Sequence, residues 1–292
     1  MHCYPVAVDS IQQLDQDVTQ IAPAEPSGVQ SCAYLLELSP DWIVRRASEN
    51  IHHLLGESHV TLIDEPLGRF VHGQALHDLR NLFSRLSGTT GIARAYKVRL
   101  TDEHEYVDVA FQLSGGRVVL ELVPAAETYG EYFGTVAGLI GGLADARGQA
   151  LLDGAARRMR ALTGYDRVTL GYGNHRAQSA RGAFDNTADI DAPLPAMIAD
   201  TEAEAVALFP RGNANSAALL RSCAADDREA LRRNRIRACA RIPFAVDESA
   251  GEFRCDSRTP RPPSIELHAA AELFAQSFAL LLKIADGKAG RT

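Results

Sequence analysis

The sequence predicts an α+β protein made of two domains in tandem. Three observations carry this. At 292 residues the chain exceeds the ~100–200 residues of one ordinary domain. Two blocks of strand-like segments, 33–124 and 167–257, are separated by an apolar, glycine-rich stretch over 128–162. An amphipathic segment, 265–285, follows the second block. Hydrophobic residues make up 46% and charged residues 23%, enough apolar mass for each domain to bury a core.

The elements read in order as follows. Residues 1–30 form an arm, broken by Pro23, Pro26 and Gly28. AYLLEL (33–38) and IVRRAS (43–48) are strands about the Ser39-Pro40-Asp41 turn. SENIHHLLG (48–56) is a short helix that Ser48 can cap and Gly56 can end. LHDLRNLFSRL (76–86) puts Leu76, Leu79, Leu82, Phe83 and Leu86 on one helical face. Strands follow at 96–100, 106–113 and 117–124, the last two joined by Ser114-Gly115-Gly116, a hairpin signal. A single long helix is expected over 128–162, weakened by its glycines. RVTLGY (167–172) opens a second sheet, and 235–246 with 251–257 form a hairpin. The helix 265–285 carries Leu267, Ala271, Phe274, Phe278 and Leu281 on one stripe.

Composition bounds the function. A net charge of −7 argues against a nucleic-acid surface. Arg228, Arg232, Arg233, Arg235 and Arg237 read as a solvated helix face. No membrane-length apolar run and no signal peptide is read, so a cytoplasmic protein without a membrane partner is expected. Cys3, Cys32, Cys223, Cys239 and Cys255 are then reduced thiols. His52, His53, His72, His77 and His268 read as surface or helix-face residues. No nucleophile-base order, phosphate loop or HExxH is present, so no enzyme is predicted. No output segment is read after residue 285, so signalling is expected to pass through a partner or the oligomeric state.

SGVQSCAYLLEL (27–38), VAFQLSGGRVVLELVPA (109–125), RALTGYDRVTLGY (160–172), ALLRS (218–222) and RTPRPP (258–263) together resemble the PAS–GAF core of bacterial phytochromes. The resemblance implies an arm (1–30), a PAS domain (31–127), a linking helix with a reduced GAF domain (128–285) and a tail (286–292). It implies a figure-eight knot, with the arm near Ile21 threaded through a GAF insertion at 197–222, and a homodimer through helices 128–162 and 265–285. Against the family pattern, Val18 stands where the bilin-attaching Cys belongs, twelve residues before Gln30. The PASDIP motif is missing from the shortened stretch after Tyr172, where AFDNTADIDAPLPA stands. Asp227 and Cys255-Asp256-Ser257 replace the pigment-side histidines.

These departures imply that ordinary bilin binding is lost. By the family register, Cys239 lines the pigment cavity, with Cys255, Cys223 and Cys32 near it. Four thiolates are the ligand set of an iron–sulfur cluster and also suit zinc; the alternatives are a redox pair or inert core thiols. Whether Cys3 replaces one of the four is left open by the sequence. The expectation is a sensor of another signal, redox or oxygen through Cys32, Cys223, Cys239 and Cys255, with an unidentified signalling partner. The alternatives are a cofactor-free interaction module and a non-covalent bilin photoreceptor.

Overall fold

The computed structural model describes residues 28–85, 91–102, 106–126, 130–184, 194–212 and 217–289. The first half supplies β1 (Gly28–Gln30), β2 (Tyr34–Leu38), β3 (Val44–Ser48), α1 (His52–Leu55), α2 (His59–Leu62), α3 (Gly73–Arg85), β4 (Ala93–Val98), β5 (Val107–Ser114) and β6 (Arg117–Pro124). The second half supplies α4 (Glu131–Gly141), α5 (Gly148–Thr163), β7 (Arg167–Tyr172), β8 (His175–Ala180), β9 (Met197–Ile198), β10 (Ala205–Phe209), α6 (Ala225–Arg233), β11 (Ala238–Val246), β12 (Ser249–Ser257) and α7 (Ile265–Ala289). They form a seven-stranded sheet, β1-β10-β3-β2-β6-β5-β4, and a five-stranded sheet, β8-β7-β12-β11-β9.

Strand alternation explains the layers. On β6, Val118, Leu120 and Leu122 point toward the first domain's own helices, where Trp42, Leu62 and Leu79 complete a core. Val119 and Val123 point the other way, into a second core shared with α5, α7 and the apolar face of the second sheet. The two domains are therefore joined through apolar packing on the back of the first sheet. The β5–β6 turn is the expected hairpin, with Gly115 and Gly116 at φ 56° and 73°, the left-handed values a two-residue turn demands.

Three expectations need correction. Ser48 does not cap the helix after it; its Oγ accepts from Leu35 N at 3.1 Å, tying β3 to β2. Gly56 does end α1 at φ 72°. The single helix over 128–162 is two helices, α4 and α5. The chain turns at Gly142, whose carbonyl accepts from Arg158 Nη2 at 2.6 Å, and a Cβ at Gly142 would lie 2.6 Å from the same atom. Finally, Ile265–Ala285 is long and apolar enough to cross a membrane (mean hydropathy 1.3), which the sequence reading denied. More than half of it lies buried in the fold, with Phe274 and Phe278 in the shared core.

The join between the domains centres on β1. One edge pairs with β10 (Gly28↔Ala207, Gln30↔Ala205). The other meets residues 220–222: Gln30 N donates to Leu220 O at 3.0 Å and Ser222 N to Gly28 O at 2.8 Å. The Gln30 amide reaches across, donating to Met197 O at 2.7 Å and accepting from Ala199 N at 2.8 Å. The insertion 197–222 thus grips β1 on both edges. A Cβ at Gly28 would sit 2.2 Å from Val206 O, so only glycine fits. Ile21 and the rest of the arm lie outside the described residues, and so does the threading expected of them.

Glu121 holds the insertion against the first sheet. It is buried on β6, and its two oxygens accept from Leu219 N and Leu220 N, each at 2.7 Å. Burial pushes its carboxyl up to about 7 from the ordinary 4.5, against the opposing pull of those two amides. The unfolded chain therefore loses this proton first, and the folded state is penalised as pH rises between the two values. We expect stability to fall by about 3 kcal/mol from pH about 4.5 to about 7 through this residue. Glu121→Gln should remove that slope in urea titrations, while lowering stability at pH 5 because its NH2 faces an amide donor. An unchanged slope would show that Glu121 does not carry it.

Candidate functional site

The second sheet has one apolar and one charged face. Val168, Leu170, Phe253, Cys255, Ala240 and Ile242 pack on the helices. The register Cys239↔Asp256↔Arg167 and Arg241↔Arg254 puts the remaining side chains on the opposite face. There Arg167, fully buried, donates from Nε and Nη2 to Asp256 Oδ2 at 3.0 and 2.5 Å. Arg254 Nε donates to Asp256 Oδ1 at 3.0 Å, and its Nη2 is buried without a hydrogen-bond partner among the described residues. Arg241 and Glu252 pair at 2.7 Å further along. The Phe184 ring lies against both Arg167 (4.7 Å) and Arg258 (4.3 Å).

Cys239 stands in this face, beneath Leu194, Ile198, Leu231 and Ile236, with Cys223 packed against the same group. Cys255 is one position out of phase and faces the helices. Cys32 lies just after β1, half-buried. The four expected ligands are thus not one set: Cys223 and Cys239 share a cluster, and the sheet separates Cys255 from them. Among the described residues no three Cys, His, Asp or Glu side chains are placed to hold a metal. Burial pushes Cys32 up to about 11 and Cys223 up to about 12, and also raises the Cys239 and Cys255 thiols above their ordinary value. The iron–sulfur and zinc expectations are not supported by this arrangement. Cys3 lies outside the described residues.

Two further readings change. His268 is a core residue, 4% exposed, with Nδ1 3.4 Å from Glu272; burial, opposed by Glu272, lowers its pKa and keeps it neutral. The arginine-rich segment is more than a solvated face. Arg232 donates to Thr201 O at 2.9 Å, and Arg237 pairs twice with Asp200, at 2.8 and 2.9 Å, pinning the turn that follows β9. The Arg167–Asp256 pair was missed. Its signal was present in GEFRCDS, where charged residues at 252, 254 and 256 alternate with Phe253 and Cys255 at the strand period.

A family profile described as a PAS fold matches residues 24–125. No curated protein sequence matches the chain. Among solved structures, the chromophore-binding domain of the bacteriophytochrome RpBphP3 from R. palustris aligns with a TM-score of 0.74 at 22% identity, covering 92% of this chain and 99% of that one. The chromophore-binding domain of Stigmatella aurantiaca phytochrome P1 aligns with a TM-score of 0.73 at 23% identity, covering 88% and 96%. The longer RpBphP3 structure aligns at 0.77 and 22% identity, covering 91% of this chain and 60% of that one. The chain has the fold of a bacteriophytochrome chromophore-binding domain, with its first half matching the PAS model.

In this bacteriophytochrome-like fold, the charged face is where the resemblance puts the pigment. Asp256, standing for a pigment-side histidine, is engaged by Arg167 and Arg254. Asp227 is half-buried at the start of α6, and burial, helped by Asp226, raises its pKa. Val18 and residues 185–193 lie outside the described residues. Asp256→Ala would leave the buried Arg167 without its counter-charge. We expect a loss of about 3–5 kcal/mol in urea unfolding, and a loss under about 1 kcal/mol would show that the pair does not organise this face.

Proposed function

We propose that the chain is a phytochrome-related sensory or regulatory module that works as a homodimer and passes its signal to a separate protein. The observation that carries this is the solvent side of α7. Leu273, Leu280 and Ile284 are 42%, 63% and 53% exposed, at the spacing of a two-helix seam. The other side of α7 is locked into both domains: Phe274 and Phe278 fill the shared core, and Glu272 pairs with Arg94 of β4 at 2.5 Å. Alongside, α4 packs on α7, and Gly134 and Gly138 have open space where a Cβ would stand, which permits close helix approach. A change in either domain would tilt this surface and so reach a partner helix.

Light scattering at micromolar concentration should give a dimer mass. Replacing Leu280 and Ile284 together by Asp should give a folded monomer with unchanged thermal stability of the single chain. A wild-type monomer would overturn the proposal.

The input we propose is other than covalently bound bilin, because Val18 replaces the attachment residue and Asp256 is already paired. A second reading, a bilin held without a covalent bond, is favoured by the likeness to solved chromophore-binding domains. Incubation with biliverdin separates the two. The first reading expects neither a red absorbance band nor a zinc-fluorescent band on a denaturing gel. A red band without the fluorescent one would establish the second reading.

A further inference from the structure

On the helical side of the second sheet, away from the charged face, a cavity of about 160 Å³ opens between β11, the first turns of α7, and the residues after α5. Small side chains line it where larger ones would fill it, Ala240 on β11 and Ala271 on α7 among them. Most of its remaining wall is apolar, from Ile242, Leu267 and the rings of Tyr132 and Tyr165, with Thr163 and the buried His268 also on it. An apolar cavity of this size takes one six-membered ring, since about 150 Å³ holds benzene.

Two donors line it. Arg261 lies over the Tyr165 ring at 5.0 Å. Its Nη2 donates to Gly164 O and its Nε reaches Ser257 Oγ at 3.5 Å, leaving Nη1 without a hydrogen-bond partner among the described residues. The Tyr165 hydroxyl also makes no hydrogen bond with a described residue. Burial raises its pKa, with Cys255 adding to the effect, so it remains a protonated donor. A guanidinium and a buried phenol in the wall of a ring-sized, mostly apolar cavity define one ligand chemistry.

We infer that this cavity binds a small single-ring aromatic carboxylate, with the ring between Ala240 and Ala271 and the carboxylate on Arg261 and Tyr165. The site stands on its own geometry, whether or not the module signals. Benzoate is the probe, titrated by calorimetry into the full chain, with benzyl alcohol as the uncharged comparison. We expect saturable benzoate binding, weakened at least about tenfold by Arg261→Gln and abolished by Ala271→Leu, which fills the cavity. Ala240→Val provides a second filling variant, and both are checked for cooperative unfolding. Absence of saturable benzoate binding to the wild type overturns the inference. So does binding that survives both filling variants. Equal affinity for benzyl alcohol and benzoate overturns the carboxylate assignment.

Discussion

Everything in this fold depends on a three-residue strand. Gly28–Gln30 contributes little apolar surface of its own, yet it is hydrogen-bonded on both edges by the insertion 197–222. Through β10 that insertion becomes part of the first sheet, pairing with β3 at Ala47 and Ser48. Through β9 it enters the second sheet, pairing with β11 at Cys239 and Ala240. One segment therefore belongs to both sheets, and β1 holds its two limbs together. Glu121 fastens the same segment to the middle of the first sheet. Arg46 adds a grip at the rim, donating to Pro210 O at 3.1 Å and Gly212 O at 2.8 Å.

This join explains how polar groups come to be buried between the domains. A buried carboxylate costs several kcal/mol unless its oxygens are satisfied, and Glu121 meets that demand with two amides left open by the irregular chain at 219–220. The arrangement is specific, because both carboxylate oxygens are aimed at adjacent amides, Leu219 N and Leu220 N. Apolar contact alone would allow the domains to slide. The charged face of the second sheet follows the same logic: the observed register sets Asp256 between Arg167 and Arg254, so its two oxygens accept from both.

Much of the architecture was legible in the sequence. Local periodicity located β2, β3, β5, β6, β7, the β11–β12 hairpin and the closing helix, because each has a long apolar face or a glycine turn. Apart from β8, which pairs with its neighbour β7, what escaped was decided by distant partners. β1, β9 and β10 span three, two and five residues, too short for a period, and β1 finds its partners about 180 residues away. The break between α4 and α5 depends on Arg158 reaching Gly142, a contact no window along the chain reveals. The cysteines show the same limit. Family register placed Cys239 and Cys255 near one another, which is true along the sheet, but the one-residue phase difference puts them on opposite faces. The expectation of a common metal failed at that step.

The central claim is that the insertion makes the two halves one cooperative unit, and unfolding followed at two sites tests it most directly. Trp42, the single tryptophan, is buried in the core of the first domain, and its fluorescence reports that domain alone. Cys255 is buried in the second sheet, and its labelling by a thiol reagent, located by mass spectrometry, reports the other. With the insertion gripping β1 and Glu121, both signals should change at the same urea concentration with the same steepness. Two separated transitions would contradict the account, showing that the domains stand independently and that the β1 join is a contact between them only.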